Sequence, residues 1–139
     1  MIRDENGLYS AWAWGLLVIR VGFGLAFLWH GAPKLFGGTE TWVSIGEKGM
    51  GSLGIHWWPA FWGLMAGVAE FGGGLLMILG VFFRSGLALM IFTMIAAIAF
   101  HVSTGKGSSN HAMEALVIFS GLMLIGPGPI TLNRFLPRS

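Results

Sequence analysis

The sequence predicts an all-α fold, namely a polytopic membrane protein built as a bundle of four transmembrane helices. Of the 139 residues, 55% are hydrophobic and only 10% are charged, whereas a soluble domain carries roughly 25% charged residues. A spanning helix needs about 20 residues, so four spans and their connections take up nearly the whole chain. We therefore expect one membrane domain over residues 1–139 and no separate soluble domain.

Four apolar segments are the predicted spans, and they cover about residues 11–31, 58–83, 86–102 and 112–126. Tryptophans at both ends of the first segment are typical of an aromatic belt, and Pro33 is expected to end it. A Gly-Pro-Gly-Pro run beginning at Gly126 ends the fourth segment, which is short for a span. The glycine-rich segment 34–57 is predicted as an interfacial loop.

Composition excludes several kinds of function. The chain has no cysteine, which removes disulfides, thiolate metal sites and any Cys-x-x-Cys redox couple. A net charge of +2 without Lys/Arg clusters gives no footprint for nucleic acid. Any redox chemistry in this chain must therefore use something other than cysteine sulfur.

Two charges are isolated inside the predicted spans. Arg20 lies near the middle of the first segment and Glu70 near the middle of the second, so their depths should be similar. A stripe of glycines at helical spacing, Gly63, Gly67 and Gly74, would let another helix approach the Glu70 segment closely. Because an unpaired charge in the bilayer costs at least ~2.5–3.5 kcal/mol, we predict a structural Arg20–Glu70 ion pair.

A second polar group is expected at one membrane face, where this topology places all four histidines. The preferred candidates for a site are His30, His101 and Glu114, while His56, beside two tryptophans, is interpreted as an interfacial anchor. His111 and Glu114 are three residues apart on one helical face, so Glu114 could orient His111 or accept its proton.

Trp29, Trp62 and Lys34 are expected at the same level as these histidines. His30 and His101 could in principle ligate a metal ion or haem between them. However, the sequence contains no His-Glu-x-x-His or paired Glu-x-x-His motif, so no metal site is assigned. The residues alone leave the cofactor open, and they do not favour a metal ion or haem.

Three stretches together resemble the DoxX family of bacterial four-helix membrane proteins. They are Arg20 with residues 27–31 and 34–36, then 69–74 with 79–80 and Arg84, then His101 and Glu114. The likeness runs from about residue 14 to residue 132. The family-type polar positions in this chain are Arg20, His30, Lys34, Glu70, His101 and Glu114.

The resemblance implies a bacterial inner-membrane protein in quinone- or sulfur-linked redox metabolism. The family includes the small membrane subunit associated with thiosulfate:quinone oxidoreductase, so a redox-protein subunit is an expected partner besides the lipid bilayer. Whether the chain is itself an enzyme, or forms a homo-oligomer, stays open at this point.

Three functions compete. In a quinone-reactive redox subunit, His30 and His101 would bond the quinone oxygens, Glu70 and Glu114 would relay protons, and Trp29 and Trp62 would enclose the ring. There, Lys34 would stabilise negative charge on the quinone or on an anionic substrate. The alternatives are a non-catalytic scaffold or assembly partner of a redox complex and, ranked last, a proton-coupled small-solute transporter.

The Lys/Arg distribution predicts the orientation. Arg3, Arg84, Arg134 and Arg138 fall on one side, against Lys34, Lys48 and Lys106 on the other, and cytoplasmic loops carry more of these residues. We expect both termini in the cytoplasm. Alkaline phosphatase fused after residue 139 should therefore be inactive, and an active fusion would reverse the orientation.

Overall fold

The structure is a computed structural model that describes residues 9–134. Its α-helices are α1 (Ala11–Leu35), α2 (Gly38–Ser52), α3 (Pro59–Leu79), α4 (Phe83–Thr104) and α5 (Asn110–Ile125), followed by a short 3-10 helix, Leu132–Arg134. The helices α1, α3 and α4 are long and apolar enough to cross a membrane, and α5 is a shorter apolar helix. The predicted helical membrane bundle is thus confirmed.

The helix α2 occupies much of the segment 34–57, which we predicted as an interfacial loop. Its glycines lower the helix propensity of this segment, so the sequence pattern alone does not indicate a helix here. Backbone contacts with α3 hold it in place, because Gly46 lies against Pro59 and Gly63 lies against Trp42. Tertiary contact, more than propensity, therefore stabilises α2.

The spans also differ from the predicted bounds at their ends. The helix α1 continues through Pro33 to Leu35, and the N–H of Phe36 closes its last turn on the carbonyl of Ala32 at 3.0 Å. A proline so close to the end of a helix removes one hydrogen bond without stopping it. In α3 the helix ends at Leu79, because Gly80 adopts a left-handed φ of 71°.

Glycines bring α1 and α3 into antiparallel backbone contact. Gly31 lies against Phe71, and Gly67 lies against the Lys34–Leu35 backbone. A Cβ atom added at Gly74 would sit 2.7 Å from the Gly24 carbonyl oxygen, so a larger residue would force these helices apart. The close approach predicted from the glycine stripe is confirmed, and it fixes the register of the two helices.

Aromatic side chains fill the space between α1 and α5. Phe27 and Phe119 are fully buried, with ring centroids 4.9 Å apart and planes at 66°, a favourable edge-to-face arrangement. Phe23 contacts Phe119 in the same manner at 6.2 Å. The large side chains of this core therefore join α5 to α1.

Two of the four arginines behind the predicted orientation can be placed. Arg84 approaches Gly126, and Arg134 donates to the carbonyl of Pro129 at 3.3 Å, so both lie at the same end of the bundle. Arg3 and Arg138 lie outside the described residues.

The glycine contact can be tested within α1. Gly31→Ala should destabilise the protein by about 1–3 kcal/mol, because the added methyl group meets the α3 backbone. Gly22→Ala is the matched control, since nothing lies within 4 Å of a Cβ at that position. Thermal unfolding in detergent measures both, and equal melting temperatures would contradict the proposed role of Gly31.

Candidate functional site

Arg20 is buried, with 1% of its surface exposed, and its guanidinium bonds only to backbone carbonyls. Nε donates to Met77 at 3.0 Å and Nη2 to Ile78 at 2.9 Å. Nη1 donates to both Pro127 at 2.6 Å and Ile130 at 2.7 Å. Because Met77 and Ile78 lie at the carboxyl end of α3, the cation also meets the negative end of the helix dipole.

Two neighbours complete the surroundings of Arg20. Its Cζ atom lies 5.6 Å from the ring centroid of Phe83, within cation–π range. Gly80 leaves room for the guanidinium, since a Cβ there would lie 3.0 Å from Arg20 Cζ. Arg20 therefore joins α1, the end of α3 and the segment after α5 in one structural contact.

The predicted Arg20–Glu70 ion pair is not formed, and this prediction was wrong. The α1–α3 register places Gly31 beside Glu70 and Phe71, and Arg20 precedes Gly31 by three turns of helix, about 16 Å along the axis. Arg20 consequently reaches the end of α3, while Glu70 stays near its middle.

Glu70 pairs instead with Lys34. The ammonium Nζ of Lys34 donates to both carboxylate oxygens, at 2.6 and 2.7 Å. Glu70 is nearly inaccessible, whereas 34% of the Lys34 side chain is exposed. Trp42 Nε1 donates to the carbonyl of Lys34 at 2.8 Å, so the start of α2 holds the end of α1 at this point.

This ion pair forms part of the wall of a cavity of about 590 Å³ between α2, α3 and α4. Most of the wall is apolar, and its aromatic members are Phe61, Trp62, Phe92 and Phe100. The other polar side chains lining it are Lys48, Thr93 and His101. The site is thus an apolar chamber with a few polar groups, as is typical of small-molecule sites.

The cavity opens toward the side of the bundle. Four apolar residues of α3 and α4 that line it, Phe61, Val68, Leu89 and Phe92, are also solvent-exposed. An opening lined with such residues favours a ligand that arrives from the hydrocarbon of a membrane. The ion pair makes the interior suitable for a polar head group.

His101 has a defined hydrogen-bonding state. Its Nδ1 atom lies 2.6 Å from the carbonyl oxygen of Lys106, and a carbonyl can only accept, so Nδ1 carries the proton. In a neutral imidazole Nε2 is then the acceptor. Gly107 packs against the ring, since a Cβ there would lie 3.1 Å from Cε1 of His101.

The structure separates the other predicted site residues from this cavity. Trp29 is 82% exposed on α1, and His30 packs near His111, with ring centroids 5.0 Å apart. Neither His30 nor Trp29 is among the cavity-lining residues. Glu114 is exposed, and within residues 9–134 it forms no hydrogen bond with His111.

His56 lines a shallower polar cleft beside the cavity, between the ends of α2 and α4, and the two share Lys48 and Phe100. Of the predicted site residues, the cavity brings together Lys34, Trp62, Glu70 and His101.

The sequence signal for the Lys34–Glu70 ion pair is indirect. Lys34 lies one helical turn after Gly31 and can be matched to Glu70 only once the glycine register is known.

The fold and the cavity define a polytopic helical membrane protein with a lateral apolar pocket. The DoxX family model matches residues 15–103, which is more than half of the chain. The protein therefore belongs to the DoxX family. The match includes Arg20, Lys34, Glu70 and His101 but ends before Glu114. No curated protein and no solved structure shows significant similarity to the chain.

Because Lys34 is partly exposed and Glu70 is buried, substitutions of the two residues should lower the stability of the protein by different amounts. Lys34→Met leaves a buried carboxylate unpaired and should lower the free energy of unfolding by about 3–5 kcal/mol. Glu70→Gln should cost about 1 kcal/mol, because the partly exposed ammonium can turn toward solvent.

The double variant, Lys34→Met with Glu70→Gln, should lose less free energy of unfolding than Lys34→Met alone, since it leaves no unpaired buried charge. Chemical unfolding in mixed detergent micelles measures all three variants. Additive losses in the double variant would contradict the pairing described here.

Proposed function

We propose that the protein is the quinone-binding membrane subunit of a redox system, with the lateral cavity as its binding site. The observation that carries the proposal is the Lys34–Glu70 ion pair in the wall of an otherwise apolar cavity that faces the side of the bundle. A quinone combines the two properties that this site complements, since it is soluble in lipid and carries two polar oxygens on a flat ring.

The dimensions and the wall support this assignment. A volume of about 590 Å³ is in the usual range for small-molecule sites, roughly 300–1,000 Å³. The aromatic residues of the wall, Phe61, Trp62, Phe92 and Phe100, would contact the ring through offset or edge-to-face packing. An isoprenoid tail would leave through the lateral opening and lie in the bilayer.

The polar groups have specific roles in the proposal. Lys34 has three N–H donors, and its two contacts with Glu70 leave one hydrogen to bond a quinone oxygen. Glu70 would exchange a proton with the bound head group. At the other end of the chamber, His101 would accept a proton or hydrogen bond at Nε2.

The chemistry itself belongs to the quinone, which takes up two electrons and two protons when it is reduced. Electrons would come from a partner redox subunit or from a soluble sulfur compound, in line with the family resemblance. The chain's own part is to bind the ring, orient it and move protons at Lys34, Glu70 and His101. Trp29, His30 and Glu114 are not assigned to this site.

Binding is tested with the full chain in lipid nanodiscs. Short-chain benzoquinone and naphthoquinone analogues are titrated by equilibrium dialysis, and the uptake by protein-free nanodiscs is subtracted. We expect saturable binding at one site per chain. Ala97→Phe, which places a ring in the cavity, should raise the Kd at least about tenfold, and Lys34→Met should weaken binding by loss of its donor.

Ala88→Phe is the matched control, because it lies on the same helix, is exposed and does not line the cavity. Its Kd should equal that of the unaltered protein. Non-saturable uptake, or equal binding by the Ala97 and Ala88 variants, would contradict the proposal. A scaffold or assembly role would then be the better account.

A further inference from the structure

His30 and His111 lie beside each other, outside the cavity walls. The carboxyl-terminal part of α1 carries His30, and the first turn of α5 carries His111. The two ring centroids are 5.0 Å apart, with an angle of 45° between the planes. Both residues are exposed.

Both imidazoles have free nitrogens. Neither ring has a hydrogen-bond or ion-pair partner in the described part of the chain, in contrast to His101, whose Nδ1 is held by a carbonyl. Phe27 flanks both rings, with centroids 6.1 Å away in each case. Phe27 thus packs beside both rings and leaves their nitrogens available.

The separation suits joint coordination of one metal ion. A metal about 2.0–2.1 Å from an imidazole nitrogen lies about 3.2 Å from the ring centroid. For two imidazoles at the tetrahedral angle, the centroids would then be about 5 Å apart. The observed 5.0 Å therefore allows both rings to bind one ion after rotation of the side chains, with α1 and α5 in place.

We propose that His30 and His111 bind a divalent transition-metal ion, of the zinc or copper(II) class, at the surface of the bundle. Residues 9–134 contain no group of three or more potential metal-ligating side chains, so water would take the remaining coordination positions. Imidazole suits these ions, and copper(II) should bind more tightly than zinc.

An ion at this position would connect two helices that the aromatic core already joins. It would link the end of α1 to the start of α5 and bind the folded state only, because His30 and His111 are distant in the unfolded chain. Metal binding should therefore raise the melting temperature by mass action. This inference does not depend on the quinone proposal.

The experiment uses the full chain without an affinity tag, purified in detergent and treated with chelator. Zinc chloride alone, and copper(II) chloride alone, are the probes. We expect one ion per chain, a higher melting temperature with zinc, and a copper(II) paramagnetic resonance spectrum with hyperfine splitting from two nitrogens.

His30→Gln and His111→Gln should each weaken binding at least about tenfold and remove the metal-dependent stabilisation. Both residues are exposed without hydrogen bonds, so the metal-free variants should melt like the unaltered protein. His56→Gln is the control, since that histidine lies in the separate polar cleft, and it should bind as before. Undiminished binding by the His30 and His111 variants, or loss in the His56 variant, would overturn the proposal.

Discussion

The close backbone contact between α1 and α3 is the constraint on which the rest of the structure depends. Because Gly31, Gly67 and Gly74 remove side chains from the interface, the two backbones come together in the observed register. That register places Lys34 beside Glu70 and sends Arg20 to the end of α3. The same contact leaves α3 free to meet α2 through Gly63, so the polar wall of the cavity follows from the glycine pattern.

Much of the fold could be predicted from the sequence, but fewer of its pairings could. The spanning helices follow from long apolar runs, and Lys34, Trp62, Glu70 and His101 are recognisable as isolated polar or aromatic groups. Their partners depend on the register of α1 against α3. Similar depth of two residues in their predicted spans does not determine that register. The helix α2 is not predicted because its glycines lower the helix propensity and serve contact with α3. Two of the carbonyls around Arg20, those of Pro127 and Ile130, lie in a segment without helical periodicity.

Arg20 and Glu70 show two ways of tolerating a buried charge in an apolar bundle. Glu70 is neutralised by one cation, Lys34, whose ammonium donates to both carboxylate oxygens. Arg20 has no carboxylate partner and is stabilised by four carbonyl contacts and an aromatic ring. In the proposed function the first arrangement exchanges protons with the ligand, whereas the second is well suited to a permanent structural role, because a guanidinium does not lose its proton.

The hydrogen bonds of Arg20 also impose an order of assembly. Two of its acceptors, Pro127 and Ile130, follow α5, the last α-helix in the described residues. During synthesis α1 would therefore enter the bilayer before Pro127 and Ile130 are made. Part of the Arg20 guanidinium would lack hydrogen-bond acceptors until more than a hundred further residues have been added. Complete packing of the bundle would then be a late event, because the segment after α5 supplies hydrogen-bond acceptors to Arg20 on α1.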